Sequence, residues 1–243
     1  MILDFCSDRI LLLFSCAQAK ACDYHPMQLT WHGLSAFEIQ TKQPSGDVTL
    51  IVDPYDNETG LRFPRTLEGQ MVLVSHDEPE ANNIGAVTGS PYLINLPGEF
   101  EVQNVFVFGI EAPLKRESKK GVSVANVLYR IEAEGMHLAH LGGLDRALTD
   151  EELKRLSNID ILMIPVGGSG VLTPSLAAEV ISQIEPRVII PMTYQIPNLK
   201  EAYGTVEAFC KEMGACRKEE MNKYKVSRKD LPEEDMLIVT LTR

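Results

Sequence analysis

A long apolar run, a concentration of positive charge and a paired-cysteine motif are all missing from this 243-residue chain. No stretch of about 18 or more consecutive apolar residues occurs, which argues against a membrane-spanning helix. Lys and Arg number 23 against 34 Asp and Glu, and the formal net charge of −11 is spread along the chain. That balance argues against a groove built to neutralise nucleic-acid phosphates. The one basic cluster, Lys115-Arg116-Glu117-Ser118-Lys119-Lys120, stands between two strand-like runs and reads as a solvated hairpin loop. Cys210 and Cys216 make no Cys-x-x-Cys pair, so no zinc ribbon or redox motif is present. Two cysteines in the body of the chain fit a reduced, cytoplasmic setting.

What the chain does have is enough apolar content, 44%, to bury one substantial core. A single α/β domain is the expectation at this length. Residues 1–26 stand apart, because they hold Cys6, Cys16 and Cys22. Their short apolar run Ile10 to Phe14 follows Asp4 and Asp8 where a secretory leader would be basic. They read as an extension outside the fold, preceding a native start at Met27.

Four apolar runs end in polar or glycine-rich turns. Met71 to Val74 ends in Ser75-His76-Asp77, Met136 to Ala139 reaches His140 and Gly142-Gly143, Ile161 to Val166 meets Gly167-Gly168, and Arg187 to Met192 meets Thr193-Tyr194-Gln195. Short β-branched runs of this kind are buried strands, and the carboxyl ends of strands in open sheets are where sites assemble. An antiparallel meander fits the first half of the chain. Beyond His140, helix and strand patterns alternate. Thr149 with Glu152 forms a capping box, Thr173-Pro174 opens a helix with apolar face Ala177, Val180, Ile181 and Ile184, Tyr203 to Met213 is helical with Gly214 as its stop, and Met236 to Leu241 closes as a strand.

From Met27 to Arg243 the chain resembles the metallo-β-lactamase superfamily, in the branch of small Zn-dependent hydrolases related to ascorbate-6-phosphate lactonases. The residues that carry the likeness are Thr30 to Phe37, Val52-Asp53-Pro54, Ser75 to Asn83, Pro97 to Val102, His140 to Leu144, Leu162 to Gly168 and Ile190 to Tyr194, in that order. The resemblance implies an α/β fold, a four-layer αββα sandwich of mixed sheets with its site at the open edge between them. It also implies a His-x-His-x-Asp-His turn. Here His76 keeps the first position, Glu78 and Glu80 stand for the second His and the Asp, and Ala81 replaces the last His. His140 keeps the next ligand position, while Gly143 and Thr193 stand where the bridging Asp and final His belong; Leu34 takes the place of a glycine-flanked His.

A catalytic zinc usually has three protein ligands and an open position. The second metal position cannot meet that count, because Ala81 and Gly143 carry no donor and Thr193 only a hydroxyl. At the first, His76, Glu78 and His140 could hold one Zn, Mn or Fe, with Glu80 as general base on its water. The competing reading is that the site has eroded and holds no metal, leaving a binding or scaffold protein; a small-molecule ligand and a homo-oligomer both stay open. Asp53 either orients a metal ligand or forms a turn, Gly167-Gly168 is an anion-approaching turn or a plain one, and Tyr194 and Gln195 are ligand contacts or strand caps. His137 falls on the strand face opposite His140 and is set aside as a ligand.

Overall fold

The computed structural model describes residues 25–44, 46–117, 121, 123–214, 216–218 and 222–243. The expected extension, with Cys6, Cys16 and Cys22, therefore lies almost wholly outside the described residues, as do Ser118 to Lys120 of the basic cluster. The first half runs through β1 (Met27–Gly33), β2 (Ala36–Gln43), β3 (Gly46–Val52), β4 (Met71–Leu73), β5 (Tyr92–Ile94), β6 (Gly98–Val102), β7 (Val105–Glu111), β8 (Val127–Ala133) and β9 (Met136–His140). The second half adds α1 (Asp150–Arg155), β10 (Ile161–Pro165), α2 (Pro174–Ile184), β11 (Val188–Met192), α3 (Val206–Met213), β12 (Arg217–Lys218), β13 (Lys223–Val226) and β14 (Leu237–Thr240).

Two sheets form, in the orders β13-β1-β2-β3-β4-β5 and β12-β14-β11-β10-β9-β8-β7-β6. Side-chain alternation decides what each strand buries. Leu50, Val52, Met71 and Leu73 point into a core shared with Tyr129, Leu138, Met163 and Ile190 of the second sheet. Ile51, Val72 and Val74 point the other way, where Tyr55, Leu61 and Phe63 cover them. That outer cover comes from the segment between β3 and β4, while the buried residues of α2 and α3 belong to the same hydrophobic cluster as the strands of the second sheet.

The meander expected for the first half holds for β1-β2-β3 and for β6-β7-β8-β9, but β3, β4 and β5 pair in parallel. Residues 53–70 and 74–91 separate these strands, long enough for the crossovers that parallel pairing demands. The consequence is functional. The parallel strands β3, β4, β9, β10 and β11 bring their carboxyl ends, and the residues that follow them, to one cleft.

The helix signals place their elements well. Thr149 accepts from the Glu152 amide and Glu152 reaches back to the Thr149 amide, closing the capping box of α1. Pro174 opens α2, and Ala177, Val180, Ile181 and Ile184 are its buried residues. α3 starts at Val206 and not at Tyr203, because the Gly204 amide is bonded to the Gly167 carbonyl and holds the chain out of helix. Gly214 ends it at φ 81°, a conformation that favours glycine. The two body cysteines, expected as free thiols, are joined instead: Cys210 in α3 and Cys216 beyond its end form a disulfide, their Cα atoms 5.4 Å apart. The αL turn at Gly214 folds the chain back far enough for the pair to meet. Among the described residues no helix is long and apolar enough to cross a membrane.

Candidate metal centre

The back wall of the cleft is a chain of satisfied hydrogen bonds. Asp53, which follows β3, is fully buried; its carboxylate accepts from the Ser75 amide and the Ser75 hydroxyl, both at 2.7 Å. The hydroxyl has one proton, given to Asp53, so at 2.7 Å it accepts from His76 Nδ1. That turns Nε2 toward Glu78 and Glu80.

His140 ends β9 and is also fully buried. Its Nε2 lies 2.8 Å from the Ser35 carbonyl, which can only accept, and its Nδ1 accepts from the Gly142 amide at 3.2 Å. Both ring nitrogens are therefore occupied in a neutral imidazole. Burial holds its pKa below the usual histidine value, outweighing the nearby Asp53 charge and the Ser35 bond that pull it up. Gly142, at φ 57°, must be glycine here, since a Cβ would sit 2.5 Å from Asn126 Oδ1 and 2.6 Å from Ser75 Cβ.

The front of the cleft is built of charge. His76 Nε2, Glu78 and Glu80 place one donor atom each within 4.8 Å of one another. Neither glutamate bonds to His76: Nε2 stands 3.9 Å from each carboxylate, too long for a hydrogen bond. Arg116 fills the space among them. Its guanidinium bonds Glu78, lies 3.7 Å from Glu80, and donates to the Gly143 and Gly170 carbonyls at 3.1 and 2.5 Å. Burial pushes the Glu80 carboxyl up, but His76, a backbone amide and the Arg116 charge together bring its pKa below the usual range.

The structure thus gathers three of the four candidate residues, His76, Glu78 and Glu80, and leaves His140 behind them with its nitrogens in use. The positions without donors are equally informative. Ala81 is fully buried, and a Cβ on Gly143 would meet the His76 ring at 3.1 Å and the Arg116 guanidinium at 3.4 Å. Leu34 and Thr193 both hold left-handed backbones, φ 50° and 51°, tied by a 3.1 Å bond from the Thr193 amide to the Leu34 carbonyl. A β-branched residue rarely adopts that conformation.

Sequence reasoning missed two residues. Ser75 reads only as the start of a polar turn. Arg116 reads as part of a solvated loop, whereas the Lys115 and Arg116 amides are pinned to the Asp145 carboxylate and the Arg116 side chain turns inward. No spacing in the sequence pairs Arg116 with a turn some forty residues earlier. Of the other candidates, His137 bonds the Asn158 carbonyl away from the cleft. Tyr194 donates to Leu241 and stacks on Trp31, and Gln195 receives the Tyr203 amide. Gly167 makes a tight turn against Thr193 and Tyr203.

Two mixed sheets with a polar site at the carboxyl ends of their parallel strands define the metallo-β-lactamase fold. The chain belongs to the family described as Beta-lactamase superfamily domain, whose profile matches residues 28–193. It is 28% identical over 190 residues to a UPF0173 metal-dependent hydrolase of Thermococcus onnurineus (strain NA1), covering 67% of this chain and 82% of the relative. A UPF0173 metal-dependent hydrolase of Methanopyrus kandleri is 24% identical over 197 residues, covering 69% and 84%. A crystal structure from Thermotoga maritima, described as a candidate Zn-dependent hydrolase of the metallo-beta-lactamase superfamily, superposes with TM-score 0.71 at 27% identity, covering 89% of this chain and all of that one.

Proposed function

We propose that this protein is a member of the superfamily in which the two-metal hydrolytic centre has been replaced by an ion-pair cluster, and that its cleft now binds a small molecule. The observation that carries this reading is the position of Arg116. Its guanidinium supplies positive charge among Glu78 and Glu80, held by two backbone carbonyls as well. The donor set does not fit two metals: Ala81 and Gly143 offer nothing, and His140 has spent both nitrogens on Ser35 and Gly142.

A second reading has its own support. His76 Nε2 is buried without a hydrogen-bond partner, and with Glu78 and Glu80 it offers three donor atoms of the type a mononuclear hydrolase uses. These residues would hold one Zn, Mn or Fe, whose chemistry is to acidify a bound water. The names of the relatives, metal-dependent hydrolases, favour it. Arg116 opposes it, since Glu78 would have to leave the guanidinium.

Elemental analysis of protein purified without chelator separates the two. Less than about a tenth of an equivalent of Zn, Mn or Fe is expected; about one equivalent, lost in His76→Ala, would establish the second reading.

A further inference from the structure

The parallel pairing of β3, β4 and β5 demands two crossovers, residues 53–70 and 74–91, and a second cavity of about 550 Å³ opens between them, the size of a small-metabolite site. Its wall is drawn from Asn57 and residues 60–65 of the first crossover and from Asn83, Gly85, Ala86 and Thr88 of the second. The crossovers are fastened to each other. The Asn83 amide donates to the Pro54 carbonyl at 2.6 Å, the Asn83 side chain to the Tyr55 carbonyl at 3.1 Å, and the Asp56 amide to the Pro79 carbonyl at 2.7 Å.

The charge of this wall is opposite to that of the chain. Arg62 and Arg65 stand in it and no Asp or Glu does, although the formal net charge of the whole sequence is −11. Local sequence explains how the pair is presented. Leu61 and Phe63 are buried in the outer hydrophobic cluster, Arg62 between them is turned to solvent, and Pro64 leads into a turn that exposes Arg65. Tyr55 meets the Phe63 ring edge-on at 5.1 Å, and the Arg243 guanidinium donates to the Arg62 carbonyl at 2.7 Å, so the backbone beneath the pair is held. The two side chains are not. Every other arginine side chain among the described residues meets a carboxylate or donates to a carbonyl, whereas the guanidinium groups of Arg62 and Arg65 make no ion pair and no hydrogen bond there.

Two like charges without partners add nothing to the fold, but each is a planar fork of donors suited to an oxyanion. Their Cα atoms, three residues apart in sequence, are separated by at most about 11 Å, so both exposed side chains can converge on one group. A carboxylate has two oxygens and one charge, which a single guanidinium saturates. A phosphate group has three terminal oxygens and close to two charges at neutral pH, and can bridge two forks. Gly85, where a Cβ would meet nothing within 4 Å, keeps its side of the wall open.

We propose that this cavity is a phosphate-binding site, separate from the cleft of the candidate metal centre, in which Arg62 and Arg65 together clamp the phosphate group of a small anion. The segment between the two is thin: Glu58 and Thr59 line the cleft, while Asn57 and Gly60 line this cavity. The site does not depend on whether the cleft holds a metal.

Titration calorimetry of the full chain with inorganic phosphate and with glycerol 1-phosphate, at about pH 7.5 and constant ionic strength, tests it. About one equivalent should bind. Arg62→Gln and Arg65→Gln should each weaken binding about tenfold, while Lys42→Gln, which removes the same charge from an exposed position on β2, should leave it within about twofold. Equal affinity for the two ligands would identify the phosphate group alone as the ligand, and a tighter ester would identify a phosphate monoester; either supports the clamp. Equal binding by all four proteins, equal binding of acetate, or a loss seen only in Arg116→Met, which would put the anion in the cleft, would each overturn the proposal. So would the absence of both heat and a rise in Tm at about 10 mM of either ligand.

Discussion

The back and the front of the cleft follow opposite rules. At the back, Asp53, Ser75 and His140 are buried, neutralised or shared by short bonds, and nearly every polar atom has a named partner. At the front, Glu78, Glu80 and Arg116 keep about a quarter of their side-chain surface in solvent and meet through charge. The back is what a folded sheet end needs; the front is what a site can exchange. Gly143, which carries no metal donor, and Thr193, which carries only a hydroxyl, lie on the front and the rim, while the support behind them is a closed set of hydrogen bonds.

The most severe way to break this contrast is to remove Asp53. Asp53→Ala deletes the acceptor of two buried Ser75 donors and frees the Ser75 hydroxyl to swing away from His76. It also leaves an alanine at φ 47°. Unpaired buried donors make the expected loss about 3–5 kcal/mol in urea unfolding. A loss under about 1 kcal/mol would show that the back wall does not carry the stability assigned to it.

A smaller effect is one of pH. His140 has its pKa lowered by burial, so the unfolded chain takes up a proton near pH 6.5 that the folded chain refuses. Stability tied to His140 is thus full above about pH 6.5 and is lost as pH falls toward the depressed folded value. Between about pH 6.5 and 5 the stability from the depressed carboxyl groups Glu80 and Glu152 stays in place and adds little slope, since it is lost only as they protonate further down. His140→Leu should start lower in stability at pH 7.5 and fall less steeply across that window. Parallel curves for the two proteins would remove His140 from the account.

The contrast also separates what could be read in the sequence from what could not. The strand ends at Ser75 and His140, the capping box at Thr149 and the apolar face of α2 are local patterns, and local patterns announce themselves through periodicity and spacing. The superfamily and its sheets were legible for the same reason, because motif residues stand in order along the chain. The parallel pairing of β3, β4 and β5 was not, since pairing direction depends on how long connections cross. Neither was the engagement of His140, which turns on a carbonyl at Ser35 from a distant hairpin, nor the inward course of Arg116. Long-range partners leave no mark on their own neighbours in sequence.

Arg116→Met is the mildest change and the one that bears most directly on how the front works. The ion pairs it removes are partly exposed, so the expected cost is about 0–1 kcal/mol, and Tm should move by no more than about 4 °C. The consequence for metal should be larger than the consequence for folding. With the guanidinium gone, Glu78 and Glu80 lose their cation and stand beside His76 Nε2 as a three-donor set. Zinc titrated into the variant should then bind at about one equivalent where the parent takes up almost none. Equal zinc uptake by parent and variant would mean that Arg116 does not hold the place of a metal. A stability loss beyond about 3 kcal/mol would put the residue with the back wall and erase the line between the two halves of the cleft.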